Sequence, residues 1–169
     1  GDGLDDLLFG APLNHDGGTA SGKAYLVLGS TLAASPSTTL DLSTADHVFV
    51  GERSHDYAGR SLSAAGDVDG DGLDDLLLGA DGNDDGASNG GQVYLVLGGT
   101  LAASPSTPFE LGLADFGFVG ENPSDGAGTS VSAAGDVDGD GLDDLLVGSS
   151  RNDDGGSSAG KAYLILSNL

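Results

Sequence analysis

The chain has 169 residues, with 27 Asp and Glu against five Lys and Arg, a formal charge of −22, 31 Gly, and no Cys, Met or Trp. So large an excess of negative charge excludes nucleic acid and anionic membranes as partners, because like charge repels at long range, and makes a cation the natural partner. Without Cys there is no disulfide framework, no apolar run approaches the roughly 20 residues of a membrane helix, and the glycine content disfavours long helices. A high-salt habitat or plain solubility would also account for part of the acidity.

The chain opens on Gly-Asp-Gly-Leu-Asp-Asp-Leu-Leu, the tail of a longer acidic run. Its full form, Asp67-Val68-Asp69-Gly70-Asp71-Gly72-Leu73-Asp74-Asp75-Leu76-Leu77, recurs letter for letter from Asp136 to Leu146. The offset of 69 residues also carries Thr31 to Thr38 onto Thr100 to Thr107, Phe49 to Glu52 onto Phe118 to Glu121, and Ala24 to Leu28 onto Val93 to Leu97. A fixed period over the whole chain means a repeat architecture, in which one unit buries its apolar face only by stacking on its neighbours.

Within the complete unit, short runs rich in Leu, Val, Tyr and Phe and bounded by Gly, Asn, Asp and Ser predict strands near 60–65, 75–79, 92–97 and 116–120. Helical periodicity is brief, so Thr100 to Ser104 supports one turn at most. Four antiparallel strands per unit favour radial stacking as blades. The expected fold is therefore all-β: propeller-like blades of four antiparallel strands in two and a half repeats, incomplete as a propeller on its own. The units divide as 1–59 (strands two to four), 60–128 (a complete blade) and 129–169 (strands one to three). Both partial ends, and the absence of any Met, lead us to expect a piece of a larger array or one subunit of an assembly.

The acidic run reads as a calcium loop in 67–75 and again in 136–144. Asp67, Asp69, Asp71 and Asp75 hold positions 1, 3, 5 and 9, with Gly72 at the sharp turn and the Leu73 carbonyl at position 7. Asp136, Asp138, Asp140, Leu142 and Asp144 repeat the set. Oxygen ligands without His or Cys select Ca2+, and Mg2+ less well, over softer metals. An EF-hand needs a bidentate Glu at position 12, where this chain has Leu78 and Val147, so the loop reads instead as a hairpin between two strands. Asp74 and Asp143, at position 8, are expected to face solvent or to cap backbone amides. The opening copy keeps Asp2, Leu4 and Asp6 as positions 5, 7 and 9, half of a ligand set. A second polar loop, Asn83-Asp84-Asp85-Gly86, recurs at 152–155 and reads as a turn rather than a metal contact.

These residues resemble the FG-GAP repeats of integrin alpha-subunit propellers and their bacterial relatives. Ala58-Gly59-Arg60-Ser61-Leu62 leads through the acidic loop to a strand, and Gly10-Ala11-Pro12 is the turn that gives the repeat its name; it becomes Gly79-Ala80-Asp81 and Gly148-Ser149-Ser150 later in the chain. The resemblance implies a calcium-stabilised propeller on a secreted or cell-surface protein, with adhesion or ligand binding on one face. The expected function is a non-catalytic, structural or adhesive extracellular segment that assembles with further copies, as a homo-oligomer, or with the remainder of a larger array. A receptor propeller with a protein or glycan ligand and an accessory propeller of a secreted hydrolase are the competing readings. His15, His47 and His55 fall at non-equivalent repeat positions without a nucleophile motif and read as exposed loop residues.

Overall fold

The structure is a computed structural model that describes residues 3–35, 38–104 and 108–168. Three sheets account for its strands. The first orders β1 (Leu7–Ala11), β2 (Lys23–Val27), β3 (His47–Val50) and β7 (Phe109–Glu110). The second orders β4 (Ser61–Gly66), β5 (Asp75–Ala80), β6 (Gln92–Val96) and β8 (Phe116–Val119). The third orders β9 (Ala127–Gly135), β10 (Asp144–Ser149) and β11 (Lys161–Ile165) around β10. The complete unit thus forms its four predicted strands, all antiparallel, with Leu62 opposite Leu78, Leu77 opposite Leu95 and Leu95 opposite Phe116.

Two features depart from the expected pattern. The helices α1 (Gly29–Ala34) and α2 (Gly98–Ala103) run for six residues each, longer than the single turn predicted. Strand β7 was not expected at all. It rises from the connection of the second unit, reaches back to the first sheet and pairs in parallel with β3, setting Phe109 beside Phe49 and Glu110 beside Val50.

Two apolar layers separate the three sheets, and the middle sheet contributes to both. On β5, Leu76 and Leu78 enter the layer shared with Leu26 and Phe49 of the first sheet, whereas Leu77 enters the layer shared with Leu145 and Val147 of the third. On β6, Tyr94 and Val96 face the first layer and Val93 and Leu95 the second. Successive side chains of a strand point to opposite faces. A continuous apolar run is therefore the natural sequence of a strand covered on both sides, and β5 and β6 are buried along their whole length.

Glycines set the spacing. A Cβ at Gly79 would stand 2.2 Å from the Gly128 carbonyl oxygen, and one at Gly10 would stand 2.1 Å from that of Gly59. Neighbouring sheets here touch backbone to backbone, so a side chain at either position would push them apart. Polar groups complete the same interfaces, because Ser61 Oγ donates to the Gly128 carbonyl at 2.7 Å.

Candidate metal-binding loops

Residues 67–75 join β4 to β5 and residues 136–144 join β9 to β10, so each acidic loop is a hairpin connection, as its apolar position 12 implied. Within the first, Asp67 accepts the Gly70 amide at 2.8 Å on Oδ1 and the Gly72 amide at 3.0 Å on Oδ2. Asp69 accepts the Asp71 amide at 3.1 Å and Asp71 the Leu73 amide at 2.8 Å. In the second, Asp136 accepts the amides of Gly139 at 2.7 Å and Gly141 at 3.0 Å, Asp138 that of Asp140 at 3.2 Å, and Asp140 that of Leu142 at 2.9 Å. The chain can coil this tightly because Gly70, Gly72, Gly139 and Gly141 take φ between +75° and +96°, a region that favours Gly.

These turns gather carboxylates. Oxygens of Asp67, Asp69 and Asp71 lie within 4.8 Å of one another, and so do those of Asp136, Asp138 and Asp144. Two oxygens bound at about 2.4 Å to one calcium are at most about 4.8 Å apart, so each group fits a single hard cation in both spread and donor chemistry. The two copies differ in their third member, since position 5 completes the first group and position 9 the second. Asp75 and Asp140 stand outside their respective groups. Leu73 and Leu142 sit in the turns with their amides held by the position 5 carboxylates.

Position 9 does a second task that spacing did not reveal. Asp75 is fully buried and accepts the Val68 amide at 2.8 Å and the Gly98 amide at 2.7 Å, tying the loop to the start of α2. Asp144, also fully buried, accepts the Val137 amide at 2.8 Å and the Ser167 amide at 2.9 Å. Asp6 repeats the second half of this bond, accepting the Gly29 amide at 2.8 Å. Burial, with Asp69 and Asp71 nearby, holds the Asp75 pKa above the usual carboxylate value. The amides of Ser167 and Val137 hold that of Asp144 below it. Of the opening copy, Leu4 is half exposed and Asp6 exposed, while Asp2 lies outside the described residues.

Position 8 splits as expected into an exposed Asp74 and a capping Asp143. The Asp143 carboxylate accepts the Asp67 amide at 3.0 Å, and its own amide donates to the Asp67 carbonyl at 3.1 Å. The third sheet thereby grips the first ligand position of the second. Gly66, at φ +79°, leaves room for this carboxylate, which would meet a Cβ there at 2.1 Å.

A further polar cluster joins the first two sheets. Tyr94 donates its hydroxyl to Glu52 Oε1 at 2.8 Å, and the Asn83 amide nitrogen lies 3.2 Å from both that hydroxyl and Asp56 Oδ2. Asn83 also makes the expected turn, its Oδ1 accepting the Asp85 amide at 2.8 Å. It is fully buried, and the equally buried Asn152 donates to Asp125 Oδ2 at 2.7 Å. The asparagine loops are thus cross-links between sheets as well as turns. Recurrence of Glu52 and Asp56 as Glu121 and Asp125 at the repeat offset was the available signal. Burial raises the pKa of Asp56 above 3.8, and burial followed by the Glu52 contact raises that of Tyr94.

His15 and His55 are exposed loop residues, as read from sequence, but His47 is the half-buried first residue of β3. His15 Nδ1 accepts the Ala20 amide at 3.4 Å.

Stacked, mainly antiparallel sheets joined through glycine contacts, with an acidic hairpin between the first two strands of the second and of the third, define an open β-propeller-type repeat protein. A family model for the FG-GAP repeat matches residues 58–96 and 127–165, and the chain belongs to that repeat family. It is 33% identical over 161 residues to Integrin alpha-PS2 of Drosophila melanogaster, covering 90% of this chain and 11% of that one. To Integrin alpha-5 of Xenopus laevis it is 32% identical over 153 residues, 87% of this chain and 13% of the relative. The phosphatidylinositol-glycan-specific phospholipase D of Rattus norvegicus is 32% identical over 165 residues, 94% of this chain and 18% of the relative. The chain thus spans less than a fifth of each of these proteins. Among the described residues no helix is long and apolar enough to cross a membrane.

Proposed function

We propose that the chain is a non-catalytic, calcium-binding repeat segment of an extracellular or cell-surface protein, with a structural or adhesive role. The observation that carries this reading is the convergence of three carboxylates in each complete acidic loop, on hairpins that also hold the sheets together. Asp67, Asp69, Asp71 and the Leu73 carbonyl would hold one ion, with Asp75 closing the site from the strand. Asp136, Asp138, Asp140, Leu142 and Asp144 would hold the other. Asp2, Leu4 and Asp6 would contribute half of a third site. An ion there would offset the mutual repulsion of carboxylates crowded into a few ångströms, which makes binding and folding one process.

The size of the effect follows from mass action. A site with a dissociation constant of about 0.1 mM, facing about 2 mM free calcium, adds roughly 1.8 kcal/mol to stability. Thermal unfolding in calcium and in excess chelator tests this, with a melting point several degrees higher in calcium as the expected result. An unchanged melting point would sink the calcium assignment.

The integrin alpha relatives favour adhesion or the binding of a protein or glycan on one propeller face, and assembly with further copies or with the rest of a larger array as a ring or filament. The phospholipase D relative supports a second reading, an accessory propeller beside a hydrolase. Pull-down of a catalytic domain by this chain would favour that reading.

A further inference from the structure

The first interface contains an apolar seat that is filled. Leu111 is fully buried there, packed in the layer that includes Phe49, Leu78 and Tyr94. Phe109 enters beside it as part of β7, edge-on to Phe49 with ring centroids 5.9 Å apart. One connecting segment, Pro108 to Leu113, therefore adds a parallel strand to the edge of the first sheet and drops a leucine between the first and second.

The second interface repeats the seat without a filler. A groove of about 340 Å³ is lined by Phe118, Ala127, Val147, Tyr163 and Ile165. Each stands 69 residues beyond a member of the filled seat: Phe49, Ala58, Leu78, Tyr94 and Val96. The edge strand reports the difference, because Val50 is 5% exposed beneath β7 while its counterpart Val119 on β8 is 51% exposed. Among the described residues β8 ends its sheet, so one side of its backbone is open to a further strand.

A polar observation agrees. In the filled seat Gly112 lies against the Glu52 carboxylate, within 3.1 Å of where its Cβ would stand, and Glu52 accepts the Tyr94 hydroxyl. In the open seat Glu121 turns to Lys161 at 2.8 Å, and the buried Tyr163 hydroxyl has no hydrogen-bond partner. Lys161 occupies the position held by Gln92 in the preceding unit, so the open seat sets a cation beside its glutamate where the filled seat sets a neutral amide.

We infer that the groove between β8 and β11 is a docking seat for an extended Pro-Phe-Glu-Leu segment, the counterpart of the second unit's connecting segment, added as a parallel strand along β8. The occupant is fixed by the molecule's own precedent, since walls matching position for position already hold that segment one interface earlier. Strand addition supplies backbone hydrogen bonds, and the phenylalanine and leucine supply the apolar contact. The inference does not rest on calcium.

The test uses the whole 169-residue chain and a fluorescent synthetic peptide with the sequence of Pro108 to Ala114, followed by anisotropy. Saturable binding is expected, weakened about tenfold or more by Phe109→Ala or Leu111→Asp in the peptide and by Val119→Asp in the protein. Val119 is half exposed, so that variant keeps the fold, which circular dichroism verifies. On binding, the ring resonances of Tyr163 should shift. Absence of binding at millimolar peptide would overturn the inference, as would equal binding by a scrambled peptide. Self-association of the chain that the peptide fails to displace would also overturn it, because a second copy would then cover the groove through another contact.

Discussion

Asp75 and Asp144 hold the same loop position in identical sequence, and each accepts two backbone amides from a fully buried site. Such a residue stabilises the fold whether or not an ion is bound. Asp75→Asn leaves one acceptor oxygen where two amides need one each, so in chelator the variant should lose about 1–3 kcal/mol. Urea unfolding at fixed chelator measures this, and wild-type stability in the variant would count against the bridging role. Asp56 gives a pH signature of its own. Its folded pKa is raised by burial, so the folded state holds the proton more tightly than the unfolded chain. The resulting penalty is full above the folded pKa and is relieved as pH falls through it toward the ordinary value of 3.8. Asp56→Asn keeps an acceptor for the Arg53 amide and removes the titration. The stability of the wild type relative to this variant should therefore rise as pH falls through that window, by denaturant midpoints measured at each pH. A flat difference would show that the burial of Asp56 is not felt.

At the scale of elements, repeat identity and structural equivalence come apart. Leu77 and Leu146 are the last residues of the same eleven-letter run, yet Leu77 is fully buried and Leu146 is 41% exposed. Strand β5 has a sheet on each side, whereas β10 has a neighbouring sheet on one. Leu77→Ala should cost about 2–5 kcal/mol, and Leu146→Ala well under half of that. Equal costs, measured by urea unfolding, would mean that the outer face of β10 is covered in solution. The four strands of the complete unit could be read from apolar runs bounded by turn residues, because each run is also a local preference. Strand β7 could not be, since Phe109 and Glu110 form a strand only by reaching an edge 60 residues earlier in the chain.

At the scale of the molecule, 27 carboxylates oppose five cations, and each cation is already engaged. Arg53 pairs with Asp85, Arg151 reaches Asp81 at 3.6 Å, and Lys161 binds Glu121 at 2.8 Å, in each case across two neighbouring sheets. Arg53, Arg151 and Glu121 are each about half exposed, although Asp81 is buried, and pairs open to water are individually weak. Their placement at sheet interfaces still matters, because the remaining charge acts to drive the sheets apart. The same repulsion is screened by any salt over about 10 Å at 0.1 M ionic strength. The calcium experiment therefore needs sodium chloride at matched ionic strength, and the expected gain in melting temperature is the part that sodium does not reproduce.

The sequence by itself determined the repeat, the four strands of the complete unit and the acidic hairpins, because strand propensity, turn chemistry and ligand spacing are all local and return at one period. It also marked every residue of the two full acidic loops. Tertiary structure decided which copy of an identical run is buried, which three carboxylates converge in each loop, and that Asp143 grips Asp67 across an interface. It decided too that one apolar seat is filled and its twin is open. These outcomes depend on the neighbour each sheet has, and two stretches with the same letters meet different neighbours.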